Sequence, residues 1–163
     1  MTLTSTTTYN SFAGNGSTTI FSYTFRCYDE SELVVKERVD ATGVVTTKTL
    51  TTDYTVTEAS DFDGGTVTMG TAPASGVTLY IISNADNTQE TDLVASGAIA
   101  AETLETRLDR MQVQINEILA VLNRCLKVPD TENSITVEAE NSVDRASNYL
   151  KYDASGNLTS SAT

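Results

Sequence analysis

Histidine and tryptophan are missing from all 163 residues, and proline and cysteine appear only twice each. Without imidazole there is no ordinary Ser-His or Cys-His nucleophile and no histidine to ligate a metal. Cations are scarce as well. Ten Lys and Arg stand against 22 Asp and Glu, a formal charge of -12. Such a surface opposes a phosphate backbone, because nucleic-acid affinity comes from counterions released to Lys and Arg. The same sign disfavours anionic membranes and leaves basic protein surfaces as partners. No apolar run approaches the length of a membrane span. The N-terminus "MTLTSTTTYNSFAGNGSTTIF" has neither the basic start nor the apolar stretch of a secretory signal. Cys27 and Cys125 lie in segments of different character and share no ligand spacing, so thiols are expected rather than a disulfide.

Glycine loops and acidic pairs give no chemistry either. "GNGSTT" at 14–19 lacks the lysine of a phosphate-binding loop. "DFDGG" begins like a calcium loop, but its glycine comes too early and no bidentate Glu follows at the required distance. Asp29, Glu30 and Glu32, or Asp61 and Asp63, supply the carboxylates that a glycosidase would need. The sugar-stacking aromatics of such an enzyme are not concentrated nearby. A solvated acidic turn and a hairpin loop are the simpler readings of those clusters. The expectation is a non-enzymatic protein with no catalytic, cofactor or metal residues. A small polysaccharide depolymerase or a stand-alone carbohydrate-binding module is the alternative.

What is abundant is Thr, Ser and alternation. In "TTIFSYTFRC", Phe21, Tyr23, Phe25 and Cys27 alternate with Ser22, Thr24 and Arg26, the period of a strand with one buried face. Two β-rich runs flank Asp40-Ala41-Thr42-Gly43 and read as a hairpin. Tyr54 and Val56 precede a turn at Gly64-Gly65, Val67 and Met69 follow it, and Val77, Leu79 and Ile81 share one face of a last strand. Residues 1–95 are therefore expected to form a small antiparallel sandwich.

The pattern then changes. Residues 96–129 carry an uninterrupted helix, from about Ala100 to Lys127, closed by Pro129. Its apolar residues keep a period of 3.5, with Leu108, Ile115 and Leu122 at heptad position a and Leu104, Met111, Ile118 and Cys125 at d. A helix lying on its own globular core drifts more often to 3.6. Leu at a with Ile at d moves preference from dimers towards trimers or tetramers, and the apolar neighbours Leu119, Val121 and Leu126 widen the seam. The expected architecture is thus a mainly β domain, then a long helix forming a parallel trimeric coiled coil with those a and d residues as its interface. Residues 130–163 are expected to form an extended linker or docking segment with one hairpin near Tyr149–Tyr152.

The order of these segments carries a resemblance. "FAGNGSTTIFSYTF", "DYTVTEASDFDGGTVTMGTAPASGVTLYI", "TQETDL", "AETLETRLDRMQVQINEIL" and "RCLKVP", together spanning residues 9–129, resemble the N-terminal virion-attachment region of T7-type tail fibre proteins of short-tailed bacteriophages, the podoviruses. That resemblance implies a homotrimeric, non-enzymatic structural protein of the virion, assembled in the host cytoplasm. It would be fastened to the tail's adaptor and nozzle proteins and followed by a coiled coil. "NYLKYDASGNLTSS" resembles the short motif that begins the distal part of such fibres. The chain is accordingly expected to be a tail-fibre anchor or adaptor carrying a distal fibre or receptor-binding spike for host attachment. Loops at Asp29–Glu32 and at 61–65 are the expected tail contacts.

Overall fold

The computed structural model describes residues 3, 5–57, 64–88, 100–125, 149–152 and 158–161. Seven strands come first: β1 (Tyr9–Ala13), β2 (Ile20–Tyr23), β3 (Leu33–Val39), β4 (Val45–Thr47), β5 (Tyr54–Thr57), β6 (Gly65–Met69) and β7 (Val77–Ser83). A helix α1 (Ala101–Leu122) follows, and β8 (Tyr149–Tyr152) and β9 (Leu158–Ser161) close the series. The strands make one sheet ordered β1-β7-β3-β4 and another ordered β2-β6-β5, every pair antiparallel. The expected β domain followed by a helix is what the chain forms.

The two sheets face each other across a core set by the alternation in the sequence. Phe21 and Tyr23 from β2, Tyr54 from β5, and Val67 and Met69 from β6 pack against Leu33 and Val35 of β3 and Leu79 and Ile81 of β7. Phe25 and Cys27 continue the inward row past the end of β2. Two polar clasps hold the layers in register. The buried Tyr54 hydroxyl donates to the Leu33 carbonyl at 2.9 Å, so the ring enters the core without orphaning its oxygen. Asn10 on β1 accepts from the Thr24 N–H at 3.0 Å through its side-chain oxygen.

Turn chemistry follows sequence at two points. Gly43 closes the β3–β4 hairpin at φ 72°, where its N–H donates to the Val39 carbonyl at 2.8 Å. Gly64 enters β6 at φ 98° with the Tyr23 carbonyl so near that a Cβ would stand 1.9 Å from its oxygen. No other residue type fits there.

The helix is shorter than expected. It ends at Leu122, where Asn123 takes the C-cap and its N–H bonds the Leu119 carbonyl at 2.9 Å. Cys125 and Arg124 therefore lie beyond the helix, and the d position assigned to Cys125 has no helical turn to occupy. Asn readily satisfies turn backbone, which favours leaving the helix at this point. Lys127 and Pro129 lie outside the described residues, as do Leu126, Asp61 and Asp63. Residues 1–123 form one compact unit, so the helix belongs with the sandwich rather than standing apart from it. Residues 124–163 make a second unit, in which β8 and β9 pair as an antiparallel hairpin, Tyr149 opposite Ser161 and Tyr152 opposite Leu158.

Candidate functional site

The helix α1 has two long faces with opposite chemistry, and the sandwich takes the polar one. Asp109, Val113 and Asn116 are buried, with Arg110 and Glu117 half-buried beside them. In heptad terms these are positions b, f and c, diametrically across from a and d. The end of the sandwich that receives them is built from Arg26, Tyr28, Glu32, Ser83 and Ala85.

Each polar group on this face has a partner far away in sequence. Asp109 faces Arg26 at 3.8 Å and accepts from the Leu3 N–H at 3.1 Å through its other oxygen. The Arg110 guanidinium donates to Glu32 Oε1, which also accepts from the Asp86 N–H at 3.1 Å. Both arginines lie over the Tyr28 ring, Arg26 at 4.4 Å and Arg110 at 5.2 Å from its centre, a cation–π arrangement. Burial beside this network raises the Tyr28 hydroxyl pKa. Glu117 Oε1 accepts from the Ser83 hydroxyl at 2.5 Å and from the Ala85 N–H at 2.9 Å. Gln114 donates to the Asp86 carbonyl at 2.8 Å, and Asn116 to the Ser5 carbonyl at 3.3 Å. Within this network, among the described residues, the Tyr28 hydroxyl, Glu32 Oε2, Asp109 Oδ2 and Arg110 Nε are buried without a hydrogen-bond partner. The network is therefore unsaturated, and its net stabilisation is smaller than its bond count suggests.

Arg26 is where alternation misleads. Its place between Phe25 and Cys27 puts it on the polar face of a strand, yet only 7% of it is exposed. The strand has ended at Tyr23, so the side chain is free to turn towards the helix. Glu32 corrects another expectation. Instead of presenting a carboxylate to an outside partner, it is 6% exposed and occupied by Arg110 and Asp86. Asp29 caps the 3-10 turn Glu30–Glu32, accepting from the Ser31 hydroxyl at 2.6 Å and from the Ser31 N–H at 2.9 Å, and these bonds lower its carboxyl pKa.

The opposite face of α1 is uncovered. Leu104, Leu108, Met111, Ile115, Ile118 and Leu122 are each between 46% and 57% exposed, and Leu119 and Val121 beside them are similar. Cys125 is also exposed, past the helix end. The a and d residues thus share one solvent-facing stripe along the helix, and Cys125 does not extend it in helical register. A groove of about 290 Å³ runs along one edge of this stripe, lined by Asn87, Gln114, Glu117, Ile118, Val121 and Leu122.

The remaining chemistry is sparse. Cys27 and Cys125 are thiols. Burial pushes the Cys27 thiol up to about 12, against the opposing hydrogen bond it donates to the Asp29 carbonyl, so it is no nucleophile near neutrality. Among the described residues no three His, Cys, Asp or Glu gather as metal ligands, and no helix is long and apolar enough to cross a membrane.

No protein-family model matches the chain. The tail spike protein of Salmonella phage epsilon15 is 34% identical to it over 151 residues, 93% of this chain and 13% of that protein. The chain thus spans a small fraction of this curated relative. The likeness supports a phage tail structural protein, a component of the virion tail.

Proposed function

We propose that this chain is a trimeric anchor or adaptor of a phage tail fibre or spike, non-enzymatic and related to the attachment region of T7-type fibres. The observation that carries the reading is the inverted docking of α1. The helix spends its charged stripe on its own sandwich and keeps Leu104, Leu108, Met111, Ile115, Ile118 and Leu122 for another surface. Burying a Leu or Ile side chain contributes roughly 1.5–3 kcal/mol. A helix that evades this gain with its own domain is shaped for a second helix. Two further copies of α1 cover the seam in a parallel trimer, with three sandwiches carried outside the bundle.

In this reading the sandwiches grip the tail's adaptor and nozzle proteins, and the C-terminal unit carries a distal fibre or receptor-binding protein that reaches the host. The tail spike relative supports that setting. The structural employment of Glu32 supports the non-enzymatic assignment, because its carboxylate is buried against Arg110 and the Asp86 N–H. The test is solution mass by light scattering, for the wild type beside an Ile115→Asp, Ile118→Asp double variant. A trimer that becomes monomer in the variant is expected. A monomeric wild type across the accessible concentration range refutes the anchor in this form.

A further inference from the structure

The two edges of the exposed seam differ, and they are complementary to each other. Position e carries Leu119, half exposed and standing proud of the helix. Position g, on the other edge, carries Gln114 and Val121, and there the segment around Asp86 and Asn87 rises beside the helix, held by the bond from Gln114 to the Asp86 carbonyl. The groove of about 290 Å³ lies between that segment and the seam. It offers an apolar floor of Ile118, Val121 and Leu122 and room for a branched aliphatic side chain. One edge is a knob and the other a socket.

In a parallel coil, residue g of one helix lies against residue e of the next heptad on its neighbour. For Gln114 that residue is Leu119. Resting on the trimeric reading above, we propose that the socket beside Gln114 receives Leu119 of a second copy of this chain. Each helix then gives a knob to one neighbour and a socket to the other, a head-to-tail contact that closes as a three-membered ring.

Charge makes a second copy the fitting occupant. Two chains of charge -12 repel unless the surfaces they bring together are neutral. Between Met111 and Leu122 the only acidic residue of α1 is Glu117, and its carboxylate is turned to Ser83 and Ala85. Across that stretch the edges carry Gln112, Gln114, Leu119 and Val121, all uncharged, and the preceding heptad adds Glu105 at e and Arg107 at g, which are opposite in sign. Area agrees. Eight apolar side chains, each about half exposed, present several hundred Å², the scale of the ~800 Å² that one side of a stable interface buries.

The test uses the whole chain with Cys125→Ser, Asn87→Cys and Leu119→Cys, treated with a short bis-maleimide and run on a denaturing gel beside light scattering. Position 119 lies on edge e of α1 and position 87 in the segment that borders edge g, so within one chain the helix stands between them and the linker joins them between chains. Buried Cys27, its thiol protonated near neutrality, does not compete. The expected result is a covalent ladder that ends at trimer and is absent from either single-cysteine chain. A trimeric mass without inter-chain product overturns the socket and leaves the trimer standing. A dimeric mass with a ladder ending at dimer overturns ring closure. A monomeric mass removes both the socket and the reading it rests on.

Discussion

The docked and exposed faces of α1 lie half a turn apart, and each contradicts the usual expectation for its position. Against the sandwich, where apolar residues would be the ordinary choice, the helix places Asp109, Arg110, Asn116 and Glu117 around a single buried Val113. Towards solvent, where charges would be ordinary, it places Leu, Ile and Met. The difference teaches what each contact requires. Apolar packing tolerates sliding and rotation, whereas Glu117 on Ser83 and Ala85, and Gln114 on the Asp86 carbonyl, have one satisfactory geometry. The polar face fixes where the helix sits, and the apolar face is left to solvent.

The comparison can be broken most severely at Asp109. Asp109→Ala removes the carboxylate that buried Arg26 faces, and the expected loss is ~3–5 kcal/mol of unfolding free energy, measured by urea denaturation. Glu117→Ala takes the acceptor from the Ser83 hydroxyl and the Ala85 N–H at once, for an expected loss of about 1–3 kcal/mol. A pH series sharpens the picture at the same end of the sandwich. The folded Cys27 thiol is raised by burial to about 12, while the unfolded thiol ionises at roughly 8.5. The folded state then holds the proton that the unfolded state has lost. The contribution is thus fully present below the unfolded value and disappears as pH rises towards the folded one. Cys27→Ala is expected to flatten the fall in urea midpoint across that alkaline window. Met111→Gln, on the exposed face, is expected to change stability by less than ~0.5 kcal/mol in dilute solution while weakening self-association. A large effect there would mean that the seam already packs on its own chain.

Much of this was legible in the sequence, for reasons that particular residues make plain. Phe21, Tyr23, Phe25 and Cys27 announced their buried row because a strand alternates locally, and Leu79 and Ile81 did the same in β7. The heptad stripe was visible because 3.5-residue periodicity survives without knowledge of any partner. The docking network was hidden for the converse reason. Glu32 and Arg110 are 78 residues apart, and Asn116 and Ser5 are 111 apart, so no local period connects them. Arg26 departs from the alternation because its strand ends at Tyr23, before that residue is reached. A partial signal existed. Asp109, Arg110, Val113, Asn116 and Glu117 recur at steps of three and four, a second stripe that is mostly polar and so leaves no mark on the apolar pattern.

Strand β7 lies at the centre of its sheet, bonded to β1 on one side and to β3 on the other. Its register reaches from Tyr9 opposite Ile82 to Val39 opposite Val77. During synthesis, then, the first strand waits for the seventh, and the larger sheet cannot close until Ser83 has left the ribosome. Pairings of such long span form slowly. The helix is translated afterwards, and its docking contacts at Ser83 and Ala85 exist only once that last strand is in place. The sheet thereby acts as a completion check on the nascent chain: until β7 has paired, the helix has nowhere to seat, and the order of translation sets sheet closure ahead of helix docking.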